Sequence, residues 1–237
     1  MVRQARRAAV VGVVGAAGGV GASTFAALLA RRTSRTTSTV LVDLVRGAGG
    51  LDVVLGVEEA EGARWPDLRG AGGDVRGEDV VALLPRWGAC AVLSADRERP
   101  DPVEAGVRVD VLHAVSCAVG AVVLDLDRGD VVDGHAPLPA CDAVVVVARS
   151  DLRCVAGALA LGPRLAAART GAGLVVLGRP PGGLAAADVG AATDLPVWAV
   201  AGRDRALAAR AERAGPGGRG PAARAADAVA RRLGLGA

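Results

Sequence analysis

Between Gly15 and Thr24 the chain reads GAAGGVGAST, a run of small residues that ends in two hydroxyls. Residues of this type suit one kind of chemistry, the cradling of an anion. Glycine lets the backbone come close to a ligand, and a helix that begins there aims its first free N–H groups at the same point. Gly15, Gly18, Gly19, Val20, Gly21 and Ala22 form the candidate cradle, with Ser23 and Thr24 opening the helix behind it. Two acids, Asp43 and Asp125, each close an apolar run further on (TVLVD and AVVLD). One group is missing. A phosphate loop ordinarily places a lysine just before its Ser/Thr. Here that position is Ala22, and the chain has no lysine: its 28 basic residues are all arginine.

The elements that must position these residues alternate between strand and helix, which argues for a parallel sheet covered on both faces. Apolar runs predict strands over residues 8–14, 39–43, 89–94, 121–125, 142–148, 173–177 and 197–201. Helices are expected over 22–32, 101–119 (with Pro102 in the first turn), 152–169, 204–214 and 221–233. A polar turn covers 33–38, a loop 47–50 and a short helical turn 51–55, while 56–88 reads as small helices and loops. The whole predicts one doubly wound α/β domain over residues 1–237. Gly215–Gly220, GPGGRG, is the clearest break in it.

Composition bounds the function. Apolar residues make up 51% of the 237 and aromatics only 2%, so Val, Leu and Ala must fill the core. Isoleucine, asparagine and lysine are absent while Gly, Ala, Arg and Pro abound, as a GC-rich coding sequence would produce. The net charge of +3 carries no basic block, which argues against a nucleic-acid partner. No run of 18 apolar residues free of Gly or charge occurs, so no membrane span is expected. Cys90, Cys117, Cys141 and Cys154 have no CxxC spacing and read as buried, reduced thiols of a cytoplasmic protein. His113 and His135 have no ligand partners at metal spacing, and Ser116 and Cys117 have no nearby base. Trp65, Trp87 and Trp198 read as core or interface anchors.

The loop resembles the deviant phosphate loop of the ParA/MinD family of ATPases, KGGVGKT/S. Gly18, Gly19, Val20, Gly21 and Ser23 match that pattern. Ala17 stands at the family's signature lysine and Ala22 at its phosphate lysine. The likeness runs over about residues 8–233. Asp43 stands at the family's first acid and Val45 at a second acid that helps hold the attacking water. LDVVLG at Leu51–Gly56 matches the following segment, and Asp125 the Walker B acid. CDAVVVVARSDL at Cys141–Leu152 looks like the next strand and switch. LVVLGRPPGG at Leu174–Gly183 resembles a strand that in the family ends in an adenine-contacting Asn, where Gly178 stands here. The branch it most resembles is the CpaE/TadZ group with its septum-site-determining (Ssd-like) members. Many of those carry a receiver-like domain in front, which this chain, with a strand starting near residue 8, is expected to lack.

The resemblance implies ATP or ADP with Mg²⁺ as cofactor, with Ser23, Asp43 and Asp125 as metal ligands. It implies a homodimer that meets a protein partner at a septum, pole, or pilus or secretion apparatus, recruited there or to the inner membrane surface. An ammonium about 4 Å from a phosphate oxygen, at an effective dielectric near 20, contributes roughly 4 kcal/mol. A helix N-terminus contributes about 0.3–2 kcal/mol. Loss of both lysines therefore predicts weak nucleotide binding and weak or no hydrolysis, unless an arginine such as Arg46, Arg149 or Arg179 takes their place. The leading expectation is a localisation or assembly factor on a degenerate site. The second is a working ATP-driven dimerisation switch. A third is a non-catalytic dinucleotide domain, with Asp43 accepting from a ribose hydroxyl; the Tyr and Lys of a short-chain dehydrogenase have no counterpart here. The Ala-rich stripe of the last helix predicts docking on the domain ahead of peripheral membrane association.

Overall fold

In a computed structural model the described residues are 7–46, 50–73, 75–100, 103–178, 183–204, 207, 211 and 215–235. The expected strand–helix alternation is present. It comprises β1 (Ala9–Gly15), α1 (Ala22–Thr33), β2 (Thr39–Asp43), α2 (Gly50–Leu55), α3 (Gly77–Leu83), β3 (Arg86–Trp87), β4 (Cys90–Leu93), α4 (Ala105–Ala118) and β5 (Ala121–Leu126). There follow α5 (Arg128–Asp133), β6 (Ala143–Ala148), α6 (Leu152–Ala168), β7 (Gly171–Leu177), α7 (Ala186–Thr193), β8 (Val197–Ala201) and α8 (Pro221–Arg232). The eight strands form one sheet in the order β3-β4-β2-β5-β1-β6-β7-β8, all parallel except the β3–β4 hairpin.

The central strands are apolar throughout because both of their faces are covered: every residue of β2, β5 and β6 is buried. Helices α1 and α8 pack on each other on one side, and α5, α6 and α7 pack in sequence with one another. Parallel register then decides where the two acids fall. Asp43 of β2 lies directly opposite Asp125 of β5, and Asp125 opposite Val13 of β1. Two carboxyls far apart in sequence thus meet at the carboxyl ends of adjacent strands, beside the turn into α1.

Several expectations change. The helix predicted from residue 101 begins at Ala105, and Pro102 lies outside the described residues, as does most of the helix predicted over 204–214. Gly50 belongs to α2 rather than to the loop before it, whose residues 47–49 also lie outside the description. The helices α3, α5 and α7 are too short to show a helical period. The GPGGRG segment is packed at its start: Gly215 and Pro216 are buried, and Gly215 sits against Leu55 and the Trp87 indole. Cys117 is exposed, whereas Cys90, Cys141 and Cys154 are buried as expected. The apolar stripe of α8 (Ala222, Ala225, Ala226, Val229) is buried in the core, so that side of the helix is not free to lie on a lipid surface.

Candidate functional site

The turn from β1 into α1 has the form of an anion cradle. Gly21 caps α1 in the left-handed region (φ 94°), and Gly19 lies there too (φ 71°), conformations that residues with a Cβ adopt at a cost. No side chain caps the helix, which leaves its first N–H groups to a ligand or to water. At Gly18 and Gly19 a Cβ would meet nothing within 4 Å, so that part of the loop faces open space. Behind the loop the packing is tight. The Ala16 N–H donates to Val147 (2.8 Å), and a Cβ on Gly157 of α6 would run into the Ala16 carbonyl.

Asp125 is the most informative side chain. It is 1% exposed, and its Oδ1 has no hydrogen-bond partner. Among the described residues only Ser94 Oγ is also buried without one. Burial pushes the Asp125 carboxyl up to about 7, a hydrogen bond from the Ser23 hydroxyl pulls it back, and repulsion from Asp43 and Asp127 adds to the rise. A buried, unpartnered carboxylate oxygen beside a hydroxyl at the foot of an anion cradle suits a divalent cation, which takes oxygen ligands of this kind. Ser23 and Asp125 are the residues that would hold Mg²⁺, which when bound neutralises phosphate charge.

Asp43 plays a different part. It is 3% exposed, its Oδ1 accepts from the Val45 N–H (3.0 Å), and its Oδ2 from the Leu51 N–H (2.8 Å). Burial pushes its carboxyl up, and its bonds to the Leu51, Val45 and Ala95 amides pull it back. Both oxygens are therefore engaged in fixing the chain after β2, and Trp65 Nε1 donates to the Asp43 carbonyl (2.7 Å). Asp43 lines a cavity of about 140 Å³ with Ser23, Asp125 and Val53. Asp43 thus positions a loop with one lone pair of each oxygen, and Asp125 keeps an oxygen with no partner at all.

Of the three arginines weighed as substitutes for lysine, Arg46 is paired with Asp130 and Arg149 lies 3.7 Å from Asp151. Arg179 lies outside the described residues. The guanidinium that does touch the loop belongs to Arg128, at the start of α5, whose Nε donates to the Ala16 carbonyl (3.1 Å). No carboxylate among the described residues lies within 4.0 Å of it. The signal for it in the sequence was only its place three residues after Asp125. Val20, Gly21, Thr24 and Gly178 line a second cavity of about 520 Å³ with Phe25, Arg149 and Asp151. No group of three or more His, Cys, Asp or Glu side chains that could hold a metal ion occurs among the described residues. The exposed Cys117 Sγ lies 3.9 Å from His113 Nε2, one turn earlier on the same helix.

No model of a protein family matches this chain. It is 40% identical over 176 residues to uncharacterized proteins from two strains of Mycobacterium tuberculosis, which covers 74% of the chain and 50% of each relative. The chain therefore spans about half the length of the curated relatives it matches. Among solved structures it is similar to a chain of the MinC:MinD cell division protein complex of Aquifex aeolicus (TM-score 0.78, 18% identity, 95% of each chain). It is also similar to the septum site-determining protein MinD of Pyrococcus horikoshii complexed with Mg-ADP (TM-score 0.76, 19% identity, 94% of this chain and 95% of that one). A ParA family ATPase from Chlorobium tepidum gives a TM-score of 0.76 at 16% identity, over 94% of this chain and 98% of that one. The fold is that of the MinD/ParA phosphate-loop NTPases. It sets aside the dinucleotide-domain expectation, in which β2 would adjoin β1; here β5 lies between them.

Proposed function

We propose that the protein is a ParA/MinD-like localisation or assembly factor whose phosphate loop binds Mg²⁺ with ATP or ADP weakly and turns it over slowly or not at all. The observation that carries the reading is the unpartnered Asp125 oxygen beside Ser23, at a loop that offers glycine amides and no ammonium. The acid that would receive a metal is kept, at a cost in burial, while both lysine positions, Ala17 and Ala22, are alanine. With only about 0.3–2 kcal/mol from the helix terminus, such a cradle binds phosphate without stabilising its transfer. The CpaE/TadZ/Ssd-like branch supplies the role: a homodimer that marks a septum, pole, or pilus or secretion site for a protein partner. Val53, which lines a cavity with Ser23 and Asp125, and Leu152, which follows Asp151 of the second cavity, are exposed apolar side chains that support pairing through this face. No helix among the described residues is long and apolar enough to cross a membrane.

Calorimetry with Mg-ATP, steady-state hydrolysis, and sedimentation with and without nucleotide test the proposal together. A dimer indifferent to nucleotide and turnover well below about 1 per second fit it. A second reading, the ATP-driven switch, is favoured by one contact, that of Arg128 with the Ala16 carbonyl. A dimer that forms only with ATP, and hydrolysis abolished by Arg128→Ala, would establish the switch instead.

A further inference from the structure

At the opposite end of α1 from the glycine loop, about 18 Å away by helix rise, lies a cleft of about 510 Å³ that the nucleotide site does not use. Arg31, Arg32, Arg35 and Arg219 line it, and one carboxylate among the described lining residues, Asp227, stands against them. Asp227 pairs with Arg32, while Arg31 and Arg35 have no carboxylate partner among the described residues, so the concavity carries a local excess of positive charge. Two of the four are held in place by the framework. Arg32 Nε is 2.8 Å from Asp227 of α8, and the Arg31 guanidinium lies 4.9 Å from the centre of the buried Trp87 ring. Arg35, in the turn after α1, is exposed and has no ion pair among the described residues. Guanidinium groups fixed before a ligand arrives lose less rotamer freedom on binding, and their planar forks match phosphate oxygens. The volume falls in the range of small-molecule pockets, and the concave shape suits a compact ligand better than a flat surface.

We propose that this cleft is a second anion site, which takes a compact polyanion carrying two or more linked phosphate groups. The walls come from α1, the β3–β4 turn and the segment leading into α8. A ligand there would tie together parts of the chain whose sequence positions are far apart, and it would do so independently of the phosphate loop.

The test is calorimetry with inorganic tripolyphosphate at low ionic strength on four proteins: wild type, Gly18→Glu, Arg35→Glu, and the double variant Arg35→Glu/Arg219→Glu. Gly18→Glu puts a carboxylate in the glycine cradle, where a side chain meets open space, and so removes the first site as a source of signal. The expected result is binding that survives in Gly18→Glu, weakens at least tenfold in Arg35→Glu, is lost in the double variant, and falls steeply with added salt. Thermal melts of all four control for folding, and replacing Arg35 by Lys should restore part of the affinity. Separate arms with ADP and with vesicles containing a phosphoinositide distinguish a free phosphate chain from a nucleotide or a lipid headgroup. Binding lost in Gly18→Glu but kept in the double variant would place the ligand in the glycine loop and overturn the proposal. So would preferential binding of hexaglutamate, or no binding at low salt.

Discussion

Replacing Asp125 by Asn should stabilise the protein at pH 8 by roughly 3 kcal/mol more than it does at pH 5. Burial holds the folded carboxyl at about 7, against 3.8 for a solvated aspartate. Between those values the folded state binds the proton that the unfolded state has released, so stability falls as pH rises through the window and levels off above it. Raising the carboxyl from 3.8 to about 7 amounts to about 4 kcal/mol, of which roughly 3 kcal/mol is lost between pH 5 and pH 8. Asparagine carries no charge at any pH, so the gap between variant and wild type should open by that amount. In a domain of this size, that is on the order of 6–12 °C in melting temperature. Urea titrations at pH 5 and pH 8, with and without millimolar Mg²⁺, measure it. Mg²⁺ should stabilise the wild type at pH 8, where the carboxylate is ionised, and leave Asp125→Asn unaffected. A gap that stays constant from pH 5 to pH 8, or an equal response of both proteins to Mg²⁺, would refute the assignment of Asp125 as an unpartnered acid kept for a cation.

Three further outcomes follow from the same geometry. Ala22→Lys returns one ammonium to the loop; its gain of roughly 4 kcal/mol at 4 Å, reduced by the partial exposure of Ala22, should tighten Mg-ATP binding by tenfold to a thousandfold in calorimetry. Gly157→Ala drives a methyl into the Ala16 carbonyl, and the overpacking should cost about 1–3 kcal/mol in urea unfolding while shifting the amide NMR signals of residues 15–21. Asp43→Ala leaves the Val45 and Leu51 N–H groups without their acceptor, at about 1–3 kcal/mol for a buried donor, and hydrogen exchange at Leu51 should accelerate accordingly.

How much was legible in the sequence varies by element. The strands around β1, β2, β5 and β6 declared themselves because a strand buried on both faces must be apolar along its whole length, and a run such as AVVVV has no other use. The cradle was legible because glycine at φ 71° and 94° has few substitutes, and the missing lysine because a residue type can be counted. The short helices α3, α5 and α7 carried too few turns for a period, and β3 is only two residues long.

Other properties depend on contacts between residues remote in the chain, and composition does not encode these. Parallel register brought Asp43 opposite Asp125, yet loop packing gave the first acid two amide partners and left one oxygen of the second alone. Arg128 reaches the Ala16 carbonyl, whereas Arg46 meets Asp130 and Arg149 lies near Asp151. The folding of α8 back onto α1 covered the apolar stripe and gathered arginines from three segments around one cleft. Sequence alone therefore determined the layered sheet and the anion loop, through local pattern and backbone conformation. Only the tertiary structure decided which charges are paired, because a charge's partner is set by what the fold places beside it.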